Sequence, residues 1–176
     1  MIPESNRGKT VELYSSNCLP SRWTKVKNIM EDVIASDTTV FYYDNIWWLF
    51  TTIRDKKANL TSFNNLHIFY SENLLEDDWI SHPMNPVLKN NQKARSAGPI
   101  FIRNEKIIRP SQDCSVRYGY AIILNEIEEL TKISYKERKI EEILPDIVEQ
   151  IGIHTYTVCN EYIATDSLFR KRKFFS

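Results

Sequence analysis

Hydrophobic and polar positions alternate along this chain as short apolar runs broken by polar turns. "DTTVFYYDNIWWLFTT" (37–52) sets β-branched and aromatic residues on either side of Asp44-Asn45. "AGPIFIRNEKIIRPSQ" (97–112) does the same around Asn104-Glu105. Two such runs joined by a tight polar turn are the pattern of a β-hairpin. The two segments also align with each other 60 residues apart, Val40-Phe41 on Ile100-Phe101 and Trp47-Trp48 on Ile107-Ile108. A second pair, "TVELYSSNCLPSRW" and "LHIFYSENLLEDDW", aligns 56 residues apart, with Tyr14-Ser15 on Tyr70-Ser71 and Trp23 on Trp79. "HTYTVCNEYIATD" (154–166) is a third, shorter copy of the hairpin.

Antiparallel strands repeated at this period are the pattern of propeller blades. The expected fold is therefore all-β, with four-stranded antiparallel blades in a single domain over 1–176. "MIPES" reads as the end of a second strand, a cousin of "KIIRPSQ". The chain then holds part of one blade, two whole blades and the hairpin of another, about three blades in all. A ring needs more chain than this, so an upstream segment or a partner is expected to complete it. "NEIEELTKISYKERKIEEILPDIVEQIG" (125–152) supports two readings. Ile140, Ile143, Leu144, Ile147 and Ile151 stand near helical spacing, whereas position in the repeat asks for outer strands. The repeat predicts strands up to about Ile143 and a short helical turn after Pro145. Trp23 and Trp79, at matching outer positions, are expected to be packing residues. Trp47 and Trp48 point to opposite faces of one strand, so at least one belongs to the core.

Composition narrows the function classes. The 176 residues carry 23 Lys and Arg against 23 Asp and Glu. No global field then draws in nucleic acid, and none is expected as a partner. The closing "FRKRKFFS" is read as a solvated tail. Cys18, Cys114 and Cys159 are odd in number and lack a C-x-x-C spacing, which fits reduced thiols in a cytoplasmic setting and no structural zinc. No apolar run reaches the roughly 20 residues of a membrane span. Three scattered histidines give no metal set, and no cofactor is expected.

"MIPES", "DTTVFYYDNIWWLFTT", "LHIFYSENLLEDDWISHPMNPV", "ARSAGPIF", "RPSQDCSVRYG" and "GIHTY" occur in that order. Together they resemble the N-terminal domain of glucosamine inositolphosphorylceramide transferases and its bacterial relatives, over nearly the whole chain. The resemblance implies a partial five-bladed β-propeller related to family-43 glycosidases, the arabinanase and levansucrase kind. It further implies that one to two blades stand upstream of Met1, carrying the acidic residue such glycosidases use on their first blade. In plants the family continues into a glycosyltransferase domain, and nothing in this chain resembles that part. The implied work is sugar-related.

The blade pattern itself predicts where side chains converge. The start of a first strand and the end of the second, antiparallel to it, open on the same face. Strand starts supply Asp37, Arg95-Ser96-Ala97 and His154-Thr155. Strand ends supply Glu4, Thr51-Thr52 and Ser111-Gln112-Asp113. A sugar site wants carboxylates and amides for hydroxyls, with aromatics for the apolar faces of the ring. Glu4, Asp37, Gln112 and Asp113 meet the first need, and Trp47, Trp48 or Tyr118 the second. Hydrolysis needs two carboxyl groups, roughly 5–5.5 Å apart for retention or 6.5–9.5 Å for inversion. Glu4 as acid and Asp37 as supporting carboxylate form the candidate catalytic pair. Arg95 and Arg109 are candidates to clamp a phosphate or carboxylate, so the expected ligand is a glycan or a sugar phosphate.

Each residue also has a plainer reading. Asp37 bonds its own strand start, Glu4 stands idle near the terminus, and Asp113 pairs with Arg109 or Arg117 to fix a loop. His82 serves its proline-rich connection, His154 is open between the two roles, and Cys114 is a small filler. Two functions remain. One is a carbohydrate-active domain acting on a glycosidic bond, inactive alone. The other is a non-catalytic glycan-binding or scaffold domain accompanying a glycosyltransferase. Open sheet flanks also predict self-association. Sedimentation at increasing concentration is expected to show oligomers, and a concentration-independent monomer would contradict it.

Overall fold

The computed structural model describes residues 1–4, 8–54, 65–75, 78–89, 92–146 and 148–170. Every strand in it pairs antiparallel. The first hairpin joins β1 (Val11–Cys18) to β2 (Ser21–Met30). A four-stranded sheet follows, β3 (Ala35–Tyr43), β4 (Ile46–Ile53), β5 (Leu66–Ser71) and β6 (Ile80–Ser81), ordered as in the chain. The second four-stranded sheet repeats that order with β7 (Phe101–Arg103), β8 (Lys106–Asp113), β9 (Ala121–Leu130) and β10 (Tyr135–Ile143). Beyond it, β11 (Gln150–Gly152) pairs with β14 (Leu168–Phe169) around the hairpin of β12 (Tyr156–Cys159) and β13 (Tyr162–Thr165). Met1 pairs with Tyr14 in both directions at 2.8 Å, so the first residues run beside β1 as a strand would.

The repeat read from the sequence is repeated in the pairing. Phe41 faces Trp48 across the first hairpin, and their aligned counterparts Phe101 and Ile108 face each other across the second. Both turns are built the same way. Asp44 and Asn45 have φ of 51° and 58°, Asn104 and Glu105 of 52° and 63°, the left-handed pair that a two-residue hairpin turn requires. In the described part of 125–152 there is no helix. β9 and β10 run to Ile143 as expected; the helical turn expected after Pro145 lies partly outside the described residues, of which 148–149 form a simple turn before β11. The helical spacing has a physical origin. β10 shifts register at Lys136/Glu137 and at Lys139/Glu141. The first shift leaves the extra residue, Glu128, on β9 and the second leaves Ile140 on β10, so β10 loses its period of two at Ile140.

Packing follows the strand faces. Trp48, 2% exposed, joins Phe50, Leu66 and Ile68 of the first sheet to Ile107, Ile127 and Tyr135 of the second. Trp47, on the other face of β4, lies against the Tyr42 ring at 4.9 Å. Alternate positions of the second sheet, Ile108, Ile122 and Leu124, pack on Ile153 and Tyr156 beside β12. Trp23 departs from expectation. It is 38% exposed, with its indole N–H donated to the Pro20 carbonyl, because β2 has no further strand packed over it among the described residues.

One buried ion pair joins β8 to β10 across the second four-stranded sheet. Arg109 on β8 is wholly buried and grips both oxygens of Glu137 on β10, Nε and an Nη each at 2.7 Å. Its other bonds reach the Ala94 and Lys93 carbonyls at 3.3 and 3.4 Å. Tyr135 donates its hydroxyl to Glu137 and packs edge-on against Phe50. His82 adds a neutral tie, with Nδ1 accepting the Met84 N–H at 3.2 Å and Nε2 bonded to the Thr131 carbonyl at 2.9 Å. Burial disfavours the Glu137 carboxylate, but the guanidinium and the tyrosine hydroxyl outweigh it and hold its pKa below the ordinary 4.5. A carboxyl with a lowered folded-state pKa stabilises the fold above its unfolded pKa, and that contribution fades as the pH falls through the folded value. Glu137→Gln is expected to lose about 3–5 kcal/mol in urea melts, because Arg109 is left buried without its counter-charge. A paired Arg109→Met/Glu137→Met change recovers most of that loss, and the acid-side loss of stability in the parent is reduced in the double variant. A loss below about 1 kcal/mol in Glu137→Gln would contradict this reading.

Candidate functional site

The site begins at a break in a strand. β3 shifts register between Ser36 and Thr39, so Asp37 and Thr38 bulge out of the β3–β4 ladder. Asp37 has φ of 53°, a left-handed conformation that Asp tolerates better than most side chains. The bulge re-aims its carboxylate out of the sheet. Arg95 donates Nε to Asp37 Oδ2 at 2.6 Å and an Nη to Ser36 Oγ at 3.0 Å. Gln112 Nε2 reaches Asp37 Oδ1 at 3.5 Å and the Ser96 carbonyl at 2.9 Å. Glu4 Oε2 accepts the Asp37 N–H at 3.3 Å. Burial pushes the Asp37 carboxyl above its ordinary value. Arg95 opposes that push without cancelling it, and the Glu4 charge adds to it.

The 95–97 segment is held by β8. Ala97 N–H donates to the Pro110 carbonyl at 3.0 Å and Gln112 N–H to the Arg95 carbonyl at 2.9 Å. Gly98 comes next, and a Cβ there would lie 2.1 Å from the Tyr156 carbonyl oxygen, so only glycine lets β12 approach this closely. From the β8–β9 loop, Tyr118 lies under the Arg95 guanidinium at 5.0 Å and meets the His154 ring edge-on at 5.5 Å. Gly119, with φ of 61°, keeps room beside that ring, since a Cβ would stand 2.8 Å from His154 Cβ. His154 Nδ1 is paired with Asp166.

These groups surround a cavity of about 380 Å³ lined by Glu4, Asp37, Ser96, Gln112, Tyr118 and His154, among others. Strand starts and strand ends from separate repeats therefore meet at one opening, the convergence that the blade pattern predicts. Several expected residues stand elsewhere, and Thr51, Thr52 and Ser111 are buried outside the lining. Arg109 faces the opposite way and spends its fork on Glu137, so it is not available to a ligand. Asp113 is buried outside the cavity lining, its Oδ1 taking the Ser115 N–H at 2.8 Å and its Oδ2 lying 3.6 Å from Lys93 Nζ. Arg95 borders the cavity through Asp37 and Tyr118, but as the counter-ion of Asp37. Trp47 and Trp48 sit beside the Asp44-Asn45 turn, away from the lining residues. Among the described residues no group of three His, Cys, Asp or Glu is placed to hold a metal ion, and no helix is long and apolar enough to cross a membrane. Asp166 was missed. Its signal is that it stands in the third hairpin copy where the second has Pro110, a polar group in place of a strand residue.

Residues 1–151 match the family described as "Glucosamine inositolphosphorylceramide transferase 1, N-terminal". The chain belongs to this family. It is 35% identical over 139 residues to glucosamine inositolphosphorylceramide transferase 1 of Oryza sativa subsp. japonica, a match over 78% of this chain and 18% of that protein. To the protein of the same name in Arabidopsis thaliana it is 31% identical over 144 residues, 80% of this chain and 18% of the relative. The chain therefore corresponds to less than a fifth of these relatives' length. No solved structure matches it. Of the cavity, Glu4, Asp37, Ser96, Gln112 and Tyr118 fall within the family match, and His154 lies just past it.

The left-handed backbone at Asp37 separates strain from charge. Asp37→Ala loses the Arg95 pair and keeps a Cβ at positive φ, whereas Asp37→Gly loses the pair and relieves the strain. Asp37→Gly is expected to be more stable than Asp37→Ala by about 1 kcal/mol in urea melts. The reverse order would show that the bulge is not held in this conformation.

Proposed function

We propose that this chain is a carbohydrate-binding domain that accompanies a glycosyltransferase, built as part of a five-bladed β-propeller over 1–176. The reading is carried by the cavity. Carboxylate, amide, phenol and imidazole groups from different repeats converge there around a space large enough for a sugar ring. Asp37 and Gln112 are acceptors and donors for hydroxyls, and Tyr118 offers a ring face to the apolar side of a pyranose. The repeated hairpin register and the meeting of strand ends support the propeller reading, and the missing part of the ring would come from an upstream segment or a partner. The family's name supports the transferase association. The relatives' transferase activity belongs to this chain only as part of the same proposal, as does a cytoplasmic setting.

Binding is favoured over hydrolysis. Both oxygens of Asp37 are engaged, one by Arg95 and one by Gln112, and Glu4 already accepts the Asp37 N–H. A carboxylate held this way positions a ligand better than it shuttles protons. The raised pKa of Asp37 beside Glu4 is the observation that favours the second reading, a glycosidase-like centre. A glycan array followed by calorimetry tests the first. Tyr118→Ala and Asp37→Asn are each expected to weaken sugar binding about tenfold or more while thermal melting shows a folded protein. Equal affinity in both variants would remove the cavity as the binding site. Release of a reducing sugar by the parent, abolished in Glu4→Gln, would move the reading to hydrolysis.

A further inference from the structure

One imidazole in the cavity is fixed from several sides. Asp166, on the link from β13 to β14, pairs with His154 Nδ1 through one oxygen. Its other oxygen accepts the His154 and Thr155 N–H groups at 2.9 and 2.8 Å, and its own N–H donates to Thr155 Oγ1 at 3.2 Å. Tyr118 closes the ring's flank, and Gly119 leaves space for it. Burial works against the Asp166 charge, but the two backbone donors and the histidine outweigh it, so the carboxyl stays below its ordinary pKa and ionised at neutral pH. In the neutral ring a carboxylate on Nδ1 selects the Nδ1–H tautomer, which leaves Nε2 as the acceptor nitrogen. The two carboxylates of the cavity are already engaged. Asp37 is held by Arg95 and Gln112, and Glu4 takes the Asp37 N–H.

We propose that His154 Nε2 accepts a hydrogen bond from a sugar hydroxyl in this cavity, and that Asp166 is the positioning residue that fixes the ring's orientation and its Nδ1–H tautomer. The inference rests on the carbohydrate-binding reading and narrows it. The ligand carries a hydroxyl donor at this point, and a pyranose with an unsubstituted hydroxyl meets the requirement. An anionic group does not, because it would face an acceptor nitrogen with the carboxylates of Asp37 and Glu4 nearby.

Asp166→Asn separates positioning from architecture. The amide oxygen still accepts the two backbone N–H groups, but its NH2 now faces Nδ1, which reverses the tautomer of the ring. Long-range proton–nitrogen NMR at a pH where the ring is neutral is expected to show Nδ1–H in the parent and Nε2–H in Asp166→Asn. Titrating methyl glycosides is expected to move the Nε2 resonance of the parent saturably. Affinity is expected to fall about tenfold in Asp166→Asn and in His154→Ala. Sugars that bind the parent without moving Nε2, or that bind Asp166→Asn as tightly as the parent, would overturn this assignment and leave the carbohydrate site standing. A parent that binds none of the glycosides would overturn the carbohydrate site, and this assignment with it.

Discussion

The Arg109–Glu137 pair is the constraint on which the site depends, although neither residue lines it. Two charges fully withdrawn from water are tolerable only if each finds its partner with good geometry, because desolvation costs several kcal/mol per ion. Here the fork of Arg109 meets both carboxylate oxygens, and Tyr135 takes a further lone pair. The remaining donors of Arg109 go to the carbonyls of Lys93 and Ala94. Those carbonyls belong to the segment that delivers Arg95 to Asp37. A buried pair that ties β8 to β10 within one sheet thus also holds, through those carbonyls, the segment that carries the cavity's own ion pair.

The site sits where local rules are broken. Asp37 departs from its ladder, takes a left-handed conformation and keeps a carboxyl in a half-buried place that burial disfavours. Each feature is unfavourable alone. They persist together because Arg95, Gln112 and Glu4 surround the residue with donors and a fixed wall. The two glycines act by different means. Gly98 admits a backbone oxygen where a Cβ would collide, and Gly119 supplies positive φ and room for an imidazole. Together they let a loop and two hairpins approach closely enough to share one opening.

Much of this was legible in the residues. The aligned hairpins gave both four-stranded sheets, their turns and their registers, because a buried strand face and a two-residue turn leave few alternatives. Convergence of Glu4, Asp37, Gln112 and His154 followed from strand direction alone. What escaped was side-chain direction. Arg109 and Gln112 lie three apart on β8 and so project to opposite faces, and counting strand ends did not separate them. The bulge at Ile140 obscured the alternation of β10, because an inserted residue destroys the period that the pattern depends on. The role of Asp166 required knowing that its chain doubles back onto His154, a contact no spacing reports.

The third hairpin differs from its two counterparts in support, and this bears on the site. β4 and β8 are each flanked by a further strand on their outer side, and their residues are largely buried. β13 has no such neighbour among the described residues, and Tyr162 and Ile163 are 72% and 59% exposed. Its hold on the rest of the fold comes from the Tyr156 N–H to the Ala97 carbonyl at 2.7 Å, from the packing of Ile153 and Tyr156, and from the β11–β14 pairing. Few buried contacts and an exposed hairpin are the marks of a region that opens at lower free energy than the core. His154 and Asp166 belong to this weaker wall, whereas Asp37, Arg95 and Gln112 belong to the rigid one. The cavity therefore has one side built from the two four-stranded sheets, which carries the ion pair, and one side built from the more exposed third hairpin, which carries the imidazole.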